Sequence, residues 1–183
     1  TRSDLEAVAK EIEAAGRQAL VMPADIQDVS QIRKLIDTVN KTLGKVDILI
    51  NNAAWTATVE ALDATEEQWD QTLDTSLKAI FFASQAAAKI MIQQGRGKIV
   101  NIGSMYSYFG SGVAPSYSAA KGAIVQLTKS MAIELAPHNI QVNGIAPGYY
   151  ATAITPAMAK PKVGTGSAYE IGAHDSEGRY LDG

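Results

Sequence analysis

The chain has no cysteine and only two histidines in 183 residues. Without cysteine no disulfide framework is possible, which fits a reducing compartment and a cytoplasmic location. His138 follows Pro137 at a helix end and His174 lies in an irregular tail. Neither has a partner at metal-ligand spacing, so no metal site is expected. No run of about 18 apolar residues is present, and no basic segment leads into an apolar one at the start, so no membrane partner is expected. Lysine and arginine form no stripe, and the formal net charge is −3, which argues against a nucleic-acid partner. What is present is ample apolar material, 46% of residues, enough for the core of one domain.

The apolar residues recur with two periods. Leu5 to Ala15 reads as an amphipathic helix closed by Gly16, and Ala19 to Met22 as a short strand leading to Pro23-Ala24-Asp25. Ser30 reads as the N-cap of a helix through Leu43, with Ile32, Leu35, Ile36 and Val39 on one face. Val46 to Ile50 is a near-continuous apolar run, as in a strand covered on both faces. Thr65-Glu66-Glu67-Gln68 is a capping box opening a helix over residues 66–94, ended by Gly95. Lys98 to Ile102 is a further strand, a Gly-, Ser- and aromatic-rich loop follows, a helix runs to Pro137, and Ile140 to Ala146 is the last strand. Strands alternating with such helices predict an α/β fold with a doubly wound parallel sheet over residues 1–155. Residues 156–183 lack periodicity and read as an irregular tail.

Tyr117 and Lys121 stand four apart on a predicted helix, so they share one face. An ammonium beside a phenol favours phenolate, so the spacing predicts a Tyr117 pKa lowered toward the neutral range. Ser104 lies thirteen residues earlier, at the end of the predicted strand Lys98 to Ile102, where open α/β sheets bind ligands.

Asp25, Asn51-Asn52-Ala53-Ala54, Ile99-Val100-Asn101-Ile102-Gly103-Ser104, Tyr117 with Lys121, and Ile145-Ala146-Pro147-Gly148 leading to Thr152 occur in that order. In order and spacing the chain resembles the short-chain dehydrogenase/reductase family from about Ala19 to Thr155. The resemblance implies a Rossmann-type sheet, NAD or NADP as cofactor, and hydride transfer to or from a secondary alcohol or ketone. It implies that Ser104 hydrogen-bonds the substrate carbonyl, that Tyr117 exchanges the proton, and that Lys121 lowers the Tyr117 pKa and holds the nicotinamide ribose. Asp25 would meet the adenine, Asn51 and Ala53 the adenosine half, and Pro147, Gly148 and Thr152 the nicotinamide. The residues from Met105 to Ser116 and around Tyr149 look most like sugar-acid or polyol dehydrogenases, with 3-oxoacyl-thioester reductases as the alternative. Tyr106, Tyr108 and Tyr149 offer hydroxyls to a polyhydroxy substrate. The family's helix-to-helix association implies a homodimer or homotetramer, using Trp69, Phe82, Met91 and Ile133.

The chain also departs from the pattern. Ser76 stands where the family carries a fourth catalytic residue, an Asn that helps hold a water linking the Lys to solvent. The family's first strand-helix-strand unit, with the glycine-rich turn that holds the pyrophosphate, has no counterpart in these residues, which begin abruptly at Thr1. The given residues are expected to be part of a longer chain, with Val46 to Ile50 as an apolar edge. The family's last strand is not recognisable either. A truncated or non-catalytic protein that keeps the fold as an association module is therefore the alternative to an enzyme.

Overall fold

The computed structural model describes residues 2–148. Thr152, Tyr149, His174 and the tail lie outside the described residues. Helices α1 (Arg2–Ala14) and α2 (Val29–Leu43) come first. Among the described residues no strand pairs with Ala19 to Met22, so the strand expected there is absent. α2 is capped by Asp28 rather than Ser30. The Asp28 carboxylate accepts from the Ser30 N–H at 2.8 Å, and Ser30's hydroxyl and N–H hold that carboxyl below its usual pKa.

Strands β1 (Ile48–Asn51), β2 (Gly97–Ile102) and β3 (Ile140–Ile145) form a parallel sheet in the order β1-β2-β3. Leu49, Ile99 and Val142 stand in register, as do Asn51, Asn101 and Gly144. Two segments cross between strands. The first is one long helical rod, α3 (Glu66–Leu73), a π-turn (Asp74–Lys78) and α4 (Ala79–Gln94). Thr65 and Gln68 form the expected capping box, and Gly95 ends the rod in the left-handed conformation at φ 72°. The second is α5 (Pro115–Leu135), which starts with proline at its first position, where the missing N–H costs nothing.

The core lies on one face of the sheet. Ile99, Ile140 and Val142 pack with Ile36 of α2, Ala87, Ala88 and Met91 of α4, and Met131 and Leu135 of α5. On the other face Ile48 and Ile50 are 59% and 60% exposed. The expectation that this run is covered on both faces is therefore corrected: α2, α4 and α5 all pack on the same side. Met91, expected on an association surface, is fully buried in that core. A parallel sheet with helical crossovers of this kind is a Rossmann-type α/β fold.

Candidate active site

The carboxyl ends of β1, β2 and β3 define one end of the molecule, the end where such sheets bind ligands. Ser104 follows β2 in extended conformation and caps a 3-10 turn at Met105–Ser107. Its Oγ accepts from the Tyr106 N–H at 3.2 Å, and its own N–H donates to Ser107 Oγ at 3.1 Å. The turn is tied to the segment after β3, because Gly103 N–H donates to Ile145 O at 2.7 Å and Met105 N–H to Pro147 O at 3.1 Å. Position 103 needs glycine for close approach: a Cβ there would lie 2.8 Å from Ser107 Oγ and 3.2 Å from the Ile145 carbonyl. The second of these contacts brings the Pro147 backbone beside the turn that Ser104 caps.

Tyr117, on the first turn of α5, is half-buried, with the Ser104 hydroxyl near enough to act on the titration of its phenol. The Tyr106 ring meets it edge-on at 6.4 Å. Lys121 is 1% exposed; its Nζ donates to the Ile102 carbonyl at 2.6 Å and sits 5.4 Å from the Tyr117 ring centroid. Ser104, Tyr117 and Lys121 thus converge on one point.

The electrostatics differ from the sequence expectation. Burial pushes the Tyr117 phenol up from its ordinary value; the Ser104 hydrogen bond opposes this and Tyr106 adds to it. Burial also brings Lys121 down to about 8. The ammonium lies over the ring and is turned to a carbonyl, and desolvation dominates both groups. A lowered Tyr117 pKa is therefore not what this state of the protein has.

The remaining expected residues divide. Asn51 is buried: its Nδ2 donates to Ser84 Oγ at 2.9 Å and to Asn101 Oδ1 at 2.8 Å, and Asn101 Nδ2 donates to Thr128 Oγ1 at 3.0 Å. This amide chain links α4, β1, β2 and α5 beneath the site, so the Asn51 side chain is committed inward. Ala53 is exposed in the irregular segment after β1. Asp25 is exposed in a turn, where its Oδ1 accepts from the Gln27 N–H at 2.9 Å. Ser76 is fully buried and bonded to the Trp55 backbone, while Lys121 Nζ bonds Ile102. Sequence reasoning missed Ser84, Asn101 and Thr128; an Asn interrupting the apolar run of β2 was the available signal. Among the described residues no group of three or more His, Asp or Glu is placed to hold a metal, and no helix is long and apolar enough to cross a membrane.

The donor set suits the nicotinamide half of a dinucleotide. A buried ammonium has three N–H donors, and one goes to Ile102 O, which leaves donors for ribose hydroxyls. The family profile described as short chain dehydrogenase matches residues 1–162, and the chain belongs to that family. It is 44% identical over 144 residues to 2-dehydro-3-deoxy-D-gluconate 5-dehydrogenase of Escherichia coli K12, covering 78% of this chain and 57% of that protein. The chain thus spans little more than half the length of that relative. Among solved structures it resembles a short-chain type dehydrogenase/reductase from Mycobacterium marinum, with TM-score 0.82 and 35% identity over 87% of this chain and 64% of the other. It also resembles an NAD+-bound xylitol dehydrogenase, with TM-score 0.81 and 31% identity over 85% of this chain and 60% of the other.

Proposed function

We propose that the whole protein is an oxidoreductase transferring hydride between a nicotinamide dinucleotide, NAD or NADP, and a secondary alcohol or ketone. The observation that carries this reading is the convergence of Ser104, Tyr117 and Lys121 at the carboxyl end of β2. The dinucleotide, when bound, supplies or accepts the hydride. Ser104 and Tyr117 hold the substrate oxygen between their hydroxyls. In reduction Tyr117 gives its proton to the carbonyl oxygen as the carbon gains hydride; in oxidation it takes the proton from the alcohol. With its pKa raised, the phenol keeps that proton at neutral pH. Lys121 binds ribose hydroxyls and places positive charge beside the ring; Pro147, Gly148 and Thr152 border the nicotinamide. Asp25 and Ala53 serve the adenosine half, and Asn51 contributes from beneath through its amide chain.

A sugar acid or polyol is the favoured substrate class, in line with the name of the Escherichia coli relative. Tyr108 closes the Ser104 turn and is 67% exposed, so its hydroxyl is within reach of a polyhydroxy ligand. The 3-oxoacyl class remains the alternative. The assembled Ser104, Tyr117 and Lys121 support an enzyme over a non-catalytic association module. We propose a cytoplasmic homodimer or homotetramer, a reading supported by exposed apolar residues of the rod and α5 such as Trp69 and Ile133, at 45% and 78% exposure.

The test is Tyr117→Phe in the full-length protein. Turnover should fall roughly a hundredfold or more while dinucleotide affinity stays nearly unchanged, because one proton and little volume are removed. Retention of about a tenth of the rate or more removes the assigned role.

A further inference from the structure

We infer that Ser107 is a positioning residue for the reaction: its hydroxyl holds the backbone of Ser104 at the exit of β2 and so sets where the Ser104 hydroxyl stands beside Tyr117. Ser107 closes the 3-10 turn Met105–Ser107 that Ser104 caps. Its Oγ accepts from the Ser104 N–H at 3.1 Å, and its own N–H donates to the Ser104 carbonyl at 2.9 Å. Both backbone polar groups of Ser104 therefore end on Ser107. The part in the reaction rests on the function proposed above; the two hydrogen bonds do not.

The need for this contact follows from the alternation of an extended chain. Gly103 N–H and Met105 N–H both turn to the β3 side, where Ile145 and Pro147 carbonyls take them. By alternation the Ser104 N–H faces the β1 side, and there the ladder has already ended at the Asn51–Asn101 pair. A half-buried amide left without a partner is costly. Ser107 Oγ supplies the partner. A capping box ordinarily uses the longer Glu or Gln at this position; serine reaches because a 3-10 turn is tighter than an α-helical one.

Ser107 is itself wedged in place. A Cβ on Gly103 would lie 2.8 Å from its Oγ, and one on Gly122 of α5 would lie 3.9 Å from its carbonyl. The turn thus sits between the end of β2 and the helix that carries Tyr117 and Lys121. With its backbone held, Ser104 keeps its Oγ over the turn, where it accepts from the Tyr106 N–H at 3.2 Å. A serine hydroxyl has one proton, and an N–H in an acceptor position directs that proton away from the turn. On that side stands the Tyr117 phenol, which feels the Ser104 hydroxyl. In reduction Ser104 donates a hydrogen bond to the carbonyl oxygen while Tyr117 transfers its proton. A displaced Ser104 weakens that bond where negative charge develops.

The experiment uses the full-length protein with NADH or NADPH and a keto sugar acid as substrate. Ser107→Ala should lower kcat about tenfold, leave the dinucleotide KM unchanged, and speed exchange of the Ser104 amide several-fold by residue-resolved NMR hydrogen exchange. Ser104→Ala should itself be impaired. Adding Ser107→Ala to it should cost nothing further, since a residue that acts through Ser104 then has nothing left to position. Ser107→Cys, of similar size with a weak acceptor, should fall between serine and alanine and carries the test where alanine does not fold. An independent loss of similar size in the Ser104→Ala background makes Ser107 a structural residue and overturns the inference. Unchanged Ser104 exchange, or an unchanged rate, in the alanine or cysteine variant overturns it too while leaving the proposed function standing. Ser104→Ala at the wild-type rate, or a wild-type protein with no dinucleotide-dependent reduction, removes the proposed function and this inference with it.

Discussion

The two faces of the sheet are built from similar residues and meet different surroundings. Along β1, Ile48, Leu49 and Ile50 are all large aliphatics. Leu49 packs against the core under the helices, while its two neighbours are exposed. On β2 the contrast repeats, with Ile99 fully buried and Lys98 exposed. Residue type therefore does not decide which face is covered; the positions of α2, α4 and α5 do. The covered face also carries the chemistry upward. At its carboxyl end the aliphatic row Leu49-Ile99-Val142 gives way to Asn51 and Asn101, whose amides join the helices beneath Ser104. Among the described residues the site rests on the packed face.

The sharpest way to break this comparison is a pair of truncations at equal chemistry. Ile99→Ala, on the packed face, should cost about 2–5 kcal/mol of unfolding free energy, since a void opens between β2 and α4. Ile50→Ala, on the open face, should cost less than about 1 kcal/mol, because most of its side chain already meets water. Urea denaturation of the full-length protein measures both. Equal costs would mean that the open face is packed in the whole protein.

A second pair probes the polar end of each face. Asn101→Ala leaves the Asn51 amide and the Thr128 hydroxyl short of a partner and should cost about 1–3 kcal/mol. Asn143, exposed on the open face, should tolerate alanine within about 0.5 kcal/mol. A neutral Asn101→Ala, by the same denaturation measurement, would show that the amide chain is not what joins the helices beneath the site.

Much of this arrangement was legible in the residues, and the misses have physical causes. The rod from Glu66 to Gln94, its capping box and its Gly95 terminus followed from local periodicity and cap chemistry, which need no tertiary context. The π-turn within it did not, because one extra residue per turn leaves no compositional mark. Ala19 to Met22 has strand composition but no ladder partner, and pairing is a property of two segments, not one. Within the site, the approach of Tyr117 and Lys121 follows from their spacing on one helix face, but their protonation does not. Spacing shows that a charge is near, whereas burial, which here pushes both pKa values the opposite way, depends on elements far along the chain.

A pH series on Lys121 isolates that burial. Lys121 titrates at about 8 in the folded protein against 10.5 for a free lysine. Between those values the unfolded chain binds more protons than the folded one, so stability rises with pH through that window. Below pH 8 the folded protein carries the desolvated ammonium in full, and above 10.5 both states are neutral. Stability of the full-length protein should therefore rise by about 1–2 kcal/mol from pH 8 to pH 10.5 relative to Lys121→Met, less than the full shift implies because the charged form relaxes its surroundings. At neutral pH Lys121→Met should be the more stable protein, even as it loses dinucleotide binding, since it replaces a buried charge with an apolar side chain of similar length. Lys98→Met on the open face is the control. Parallel stability curves for wild type and Lys121→Met would show that the ammonium reaches water, and that the end of the packed face beside Tyr117 is wetter than its geometry indicates.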